Sequence, residues 1–199
     1  MTLSPLALVL CGWLITAVLM VLLWWVQKIR RDASHVDVAW AAGLGFLAIF
    51  YAVTADGSPS RRSVLALLAG AWAFRLALYL FFNRVWGTPE DGRYQSLRQH
   101  WGEKAQLYFF IFFQAQAGLA VIFSVPFLVI GADSAPTFRW WEWVGVCVWV
   151  TAVVGESCAD RQLARFRADP QNRGKTCRVG LWWYSRHPNY FFEWLHWWT

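Results

Sequence analysis

Residues 3–26, LSPLALVLCGWLITAVLMVLLWWV, contain no Asp, Glu, Lys or Arg. As an α-helix rising about 1.5 Å per residue, the stretch is long enough to cross a hydrocarbon core roughly 30 Å thick. In such a core the backbone N–H and C=O groups have no water to bond, so a single crossing segment satisfies them internally as a helix. No Lys or Arg precedes the run, so the charged start of a secretory signal is missing and the run reads as a retained first span. Apolar runs recur at about 36–53, 63–82, 106–130 and 140–155. Hydrophobic residues make up 58% of the chain, and their clustering into span-length runs, more than their number, sets the class. The expected fold is all-α: a polytopic transmembrane helix bundle of about five full spans, with a sixth begun at the C-terminus. The expected organisation is one integral membrane domain. Residues 1–105 form an N-terminal three-span half with its cytosolic loop, and residues 106–199 form a C-terminal region.

Charge orients these spans. Lys28, Arg30 and Arg31 follow the first run, Arg84, Arg93, Arg98 and Lys104 lie in the polar loop 83–105, and seven more cations lie between Arg161 and Arg186. The alternate loops hold only Arg61, Arg62 and Arg139. By the positive-inside rule the first group is cytoplasmic and the N-terminus is outside. Orientation and anionic headgroups account for the net charge of +6, so nucleic acid is not an expected partner and membrane lipids are. Cys11, Cys147, Cys158 and Cys177 form no CxxC pair, which argues against a zinc site or a disulfide framework.

Two segments carry polar groups that spanning does not require. After residue 155 the fifth run continues without Gly or Pro until Pro170, which predicts a helix projecting beyond the membrane to about Ala168. Glu156, Asp160, Leu163 and Arg167 form one stripe on it. Then comes the stretch 180–198, where Pro188 suits the first position of a new helix. Arg186 and His187 would sit at the mouth of that helix, where free N–H groups and the dipole favour an anion. Asn189 and Glu193 are four apart and share a side, with Tyr190 beside Glu193. Arg75 lies inside the third run, where an ionisable group needs a cavity or a partner, and Asp37 is its expected counter-charge. Polar groups on the third, fifth and sixth helices suggest a pocket open to a charged cofactor from the cytosol and to an apolar substrate from the bilayer. No P-loop, GxSxG elbow, HExxH or glycine-rich dinucleotide fingerprint is present.

The segment from Glu156 to Leu163, followed by Gly180-Leu181-Trp182, Arg186-His187-Pro188-Asn189-Tyr190 and Glu193, resembles the steroid 5-alpha-reductase C-terminal superfamily. Ser34 to Trp40 and Pro89 to Tyr94 are similar to its largely uncharacterised membrane-protein branch. The resemblance implies NADPH binding within the bundle and hydride transfer to an activated C=C bond of a lipid or steroid-like enone. The residues it assigns to the cofactor are Glu156, Asp160, Arg167, Lys175, Tyr184, Arg186, His187, Asn189 and Glu193.

Three departures from the family pattern stand out. Trp72 occupies the position of the reductases' carbonyl-polarising Tyr, which leaves Tyr79, Tyr94 and Glu90 as the candidate catalytic groups. Phe192 replaces a Gly one residue before the final Glu, where a benzyl group threatens a close approach of helix or cofactor. Family members continue past the final Trp pair, so the chain reads as a truncated form. Two alternatives accompany the reductase. One is an S-adenosylmethionine-dependent methyltransferase like the isoprenylcysteine carboxyl methyltransferases, which share an Arg-His-Pro-x-Tyr-x-x-Glu run. The other is a non-catalytic membrane protein whose aromatic and basic groups only anchor helices.

Overall fold

The computed structural model describes residues 3–199, and its ordered elements are helical, with no strand among the described residues. Helix α1 (Pro5–Arg30) starts where the Ser4 hydroxyl accepts the Ala7 N–H at 3.2 Å and Pro5 fills the first turn. It ends at Arg31, in the left-handed region at φ 52°, with Lys28 and Arg30 in a last turn whose dipole favours cations. Helices α2 (His35–Thr54) and α3 (Pro59–Arg84) follow, and α3 begins at Pro59 for the same reason that α1 begins at Pro5. Five helical stretches are long and apolar enough to cross a membrane; the fourth runs Gly92–Ala132, and its apolar part is α5 (Ala105–Ala132). The chain is thus an integral membrane protein built as a polytopic helical bundle.

The segment 83–105 corrects the sequence reading, because it is more than a polar loop. It holds α4 (Gly92–Trp101), started by Asp91, whose carboxylate accepts the Arg93 N–H at 2.9 Å, and stopped at Gly102 with φ 49°. Tyr94, Leu97 and Trp101, spaced three and four apart, turn inward and join Met20, Val36, Phe109 and Phe113 in one core. The helix is too short and too polar to span, and lies along the end of the bundle outside the spanning segments.

Two compact units divide after Pro136. In the first, α5 packs on α1 and α2, and α2 packs along α3. Small residues let α2 and α3 approach closely: a Cβ built on Gly45 would stand 2.5 Å from the Ala73 Cβ. At the end opposite α4, the turn after α2 is tied to the turn after α5. The Gly57 N–H donates to the Gly131 carbonyl at 3.0 Å and the Ser58 N–H to the Asp133 carbonyl at 2.9 Å. Gly57 has no room for a side chain, since a Cβ would lie 2.3 Å from that same Gly131 oxygen. Arg61, read from the sequence as an outer-loop cation, lies buried in the first turn of α3. It ion-pairs with Asp133 at 3.7 Å and donates to the Ala135 carbonyl.

The second unit is α6 (Trp140–Ala168), the single turn α7 (Leu181–Tyr184) and α8 (Pro188–His196). Helix α6 runs unbroken to Ala168, and Pro188 occupies the first turn of α8, both as the sequence indicates.

Candidate functional site

Helices α6 and α8 pack side by side, and their seam is layered. In the polar layer the Asn189 Nδ2 donates to the Asp160 Oδ1 at 3.2 Å. Asp160 and, one turn earlier, Glu156 are 7% and 6% exposed, while Glu193, one turn along α8 from Asn189, is half-buried. Asn189 Oδ1 is a buried acceptor with no hydrogen-bond partner, an arrangement that costs stability unless something donates to it.

The next layer is apolar. Phe192 lies against Gly155 so closely that a Cβ there would be 2.3–2.5 Å from three ring carbons. The residue that threatened to block a helix approach is therefore received by a glycine on the facing helix. Beyond it a groove of about 350 Å³ is lined by Trp143, Cys147, Val148, Thr151 and Leu195, among others.

Above the polar layer, α7 is clipped to α6 by two side chains. Gln162 Oε1 accepts the Leu181 N–H at 2.9 Å, and Trp182 Nε1 donates to the Ala159 carbonyl at 2.8 Å. Gly180 sits at φ 59° directly over the Gln162 amide, where a Cβ would meet it at 2.5 Å, so both shape and backbone favour glycine. The sequence points to Gly180 and Trp182 but not to their partners on α6, since nothing in local spacing pairs residue 162 with residue 181.

Of the nine residues assigned to a cofactor, Asp160 and Asn189 are in direct contact, with Glu156 and Glu193 one turn away on their respective helices. Arg167, Lys175, Arg186 and His187 are exposed, and Tyr184 is 87% exposed. His187 stacks on Tyr190, ring centroids 5.2 Å apart and planes 15° from parallel, at the mouth of α8. The predicted stripe on α6 is graded: Glu156 and Asp160 are buried, Leu163 is half-buried and Arg167 is in solvent.

The first unit carries a separate polar network. Asp37, offered by the sequence as the counter-charge of Arg75, takes Tyr94 Oη on Oδ1 at 2.6 Å, and Arg84 and Arg93 on Oδ2 at 2.7 and 2.6 Å. Glu90 Oε1 accepts the Ala33 N–H at 2.9 Å and Arg98 Nη2 at 2.7 Å. The Ser34 hydroxyl accepts the Asp91 N–H at 2.8 Å. Burial first, then the hydrogen bond to the Asp37 carboxylate, raises the Tyr94 hydroxyl above its ordinary value. The hydrogen bond from Arg93 lowers Asp91. Tyr94 and Glu90 thus fasten the segment after α3 to the turn between α1 and α2. Tyr79, on α3, is half-buried, with its carbonyl accepting Asn83 Nδ2 at 2.7 Å. Trp72 is fully buried in the same helix.

Comparison with known proteins follows the same residues. A family match covers residues 23–199, which includes both networks. A Schizosaccharomyces pombe protein described as "Uncharacterized protein C594.04c" is 27% identical over 216 aligned positions, covering 94% of this chain. The chain spans 61% of that relative's length. No solved structure matches significantly. The chain belongs to the family described as Protein of unknown function (DUF1295), a steroid 5-alpha-reductase-like membrane family.

Proposed function

We propose that this protein is a membrane-embedded reductase that binds NADPH and reduces a C=C bond conjugated to a carbonyl in an apolar lipid or steroid-like substrate. The observation that carries the reading is the polar layer of the α6–α8 seam. Asn189 keeps one amide hydrogen on Asp160 and leaves a buried carbonyl oxygen without a donor. An amide or amino N–H of a dinucleotide matches that oxygen, and the carboxylates of Glu156, Asp160 and Glu193 are acceptors suited to ribose hydroxyls and amide hydrogens. Arg167, Lys175 and Arg186 supply cations for phosphates, and the N–H groups at the start of α8 add to them. The residues present therefore fit the group.

When bound, NADPH supplies the hydride. The chain's own residues hold and orient it, with Gln162 and Trp182 fixing the turn that carries Tyr184 and Arg186. On this reading the cations lie on the cytoplasmic side, where the cofactor is available. Tyr94 donates its hydroxyl hydrogen bond to Asp37, and of the candidate catalytic groups Tyr79 is the one assigned here to assist the substrate carbonyl. Substitution of Tyr79 by Phe is expected to lower turnover with little change in cofactor affinity.

The test is a fluorescence titration of the protein in lipid nanodiscs with NADPH, with S-adenosylmethionine as competitor. Saturable NADPH binding that resists the competitor supports the reductase. Binding of S-adenosylmethionine alone would replace it with the methyltransferase reading, and binding of neither would leave an anchoring role.

A further inference from the structure

Helix α6 carries a second stripe, facing away from the seam. At 3.6 residues per turn, Val150, Val154, Cys158, Arg161 and Arg165 fall within an arc of about 80°, and all five are exposed. Glu156 and Asp160 lie outside this arc. The stripe is aliphatic along the apolar part of a span-length helix, then changes within two turns to a pair of guanidinium groups. Among the described residues neither arginine has an ion-pair or hydrogen-bond partner. The nearest acidic residue beyond them, Asp169, is occupied capping the next turn through the Gln171 N–H at 2.9 Å. Arg173 and Arg178, on the following turn, are also exposed and add positive charge to this end of the unit.

We propose that Arg161 and Arg165 bind the headgroup of an anionic phospholipid whose acyl chain lies along Val154 and Val150. Each arginine keeps its aliphatic stem on the apolar stripe and its charge at headgroup depth. The two are one turn apart, so one phosphate can accept from both. The cations assigned to the cofactor are Arg167, Lys175 and Arg186, so the lipid site does not depend on the reductase reading.

The experiment reconstitutes the full chain in nanodiscs of phosphatidylglycerol or phosphatidylcholine and measures retained lipid by native mass spectrometry. Wild type is expected to retain phosphatidylglycerol selectively, with retention falling as salt rises. R161Q/R165Q is expected to weaken it by about fivefold per arginine, roughly 25-fold together. The charge-conserving R161K/R165K variant is expected to keep the preference, and its loss there would overturn the electrostatic account. Unchanged phosphatidylglycerol retention by R161Q/R165Q overturns the proposal. So does a loss of NADPH binding with lipid preference intact, which would assign these cations to dinucleotide phosphates.

Discussion

Replacing Gly155 by Ala puts a methyl group where the Phe192 ring already sits. The added carbon would lie 2.3–2.5 Å from three carbons of the Phe192 ring, about an ångström inside ordinary contact. Moving the ring out of the seam separates α6 from α8 and stretches the 3.2 Å Asn189–Asp160 bond one turn away. Overpacking a tight contact by one carbon costs about 1–3 kcal/mol, and weakening a hydrogen bond to a carboxylate adds about 1 kcal/mol. For a chain of this size the sum corresponds to a melting temperature lower by roughly 4–16 °C. The assay is thermal unfolding in detergent followed by tryptophan fluorescence, run as a double-mutant cycle with Phe192→Ala. If the ring is the obstacle, Gly155→Ala is nearly neutral in the Phe192→Ala background, and the coupling accounts for most of the single-variant loss. Equal destabilisation in both backgrounds would refute the steric argument and place the cost elsewhere on α6.

Other expectations follow from the two polar networks. Tyr94→Phe removes the hydroxyl from Asp37 while Arg84 and Arg93 remain, and is expected to cost about 1–2 kcal/mol, read as faster hydrogen exchange in α4. Because Arg93 holds the Asp91 carboxyl below its ordinary value, that bond stabilises the fold above about pH 3.8 and its contribution is lost as pH falls through the lowered value. Acid should therefore loosen the start of α4, and Asp91→Asn should flatten that part of the pH profile measured by hydrogen exchange between pH 2 and 5. Asn189→Ala is expected to weaken NADPH by roughly tenfold in the nanodisc titration, about one neutral hydrogen bond; unchanged affinity would remove Asn189 from the site.

The parts of this molecule legible in its sequence are those that physics enforces locally. The apolar runs had to be helices because lipid offers the backbone no alternative, and α6 had to continue because nothing before Pro170 stops it. Pro188 announces the start of α8. By contrast, α4 hides inside a polar segment, since three inward residues among charged ones leave composition almost unmoved. Arg61 looks like a loop cation because its carboxylate partner is far along the chain. At the candidate site, spacing brought out Asn189 and Asp160, yet their contact joins positions 29 apart. No local pattern could reveal that Gly155 makes room for Phe192, or that Gln162 holds the turn at Gly180.

The Asp37 network has a consequence for how the chain enters the bilayer. Helix α2 opens with a carboxylate whose two cationic partners lie 47 and 56 residues later. When α2 leaves the ribosome, those partners have not been made. Pairing of the carboxylate with them waits for α3 and the start of α4 to emerge. The network on Asp37 therefore closes only when α2, α3 and α4 are all present, and none of these helices completes it alone.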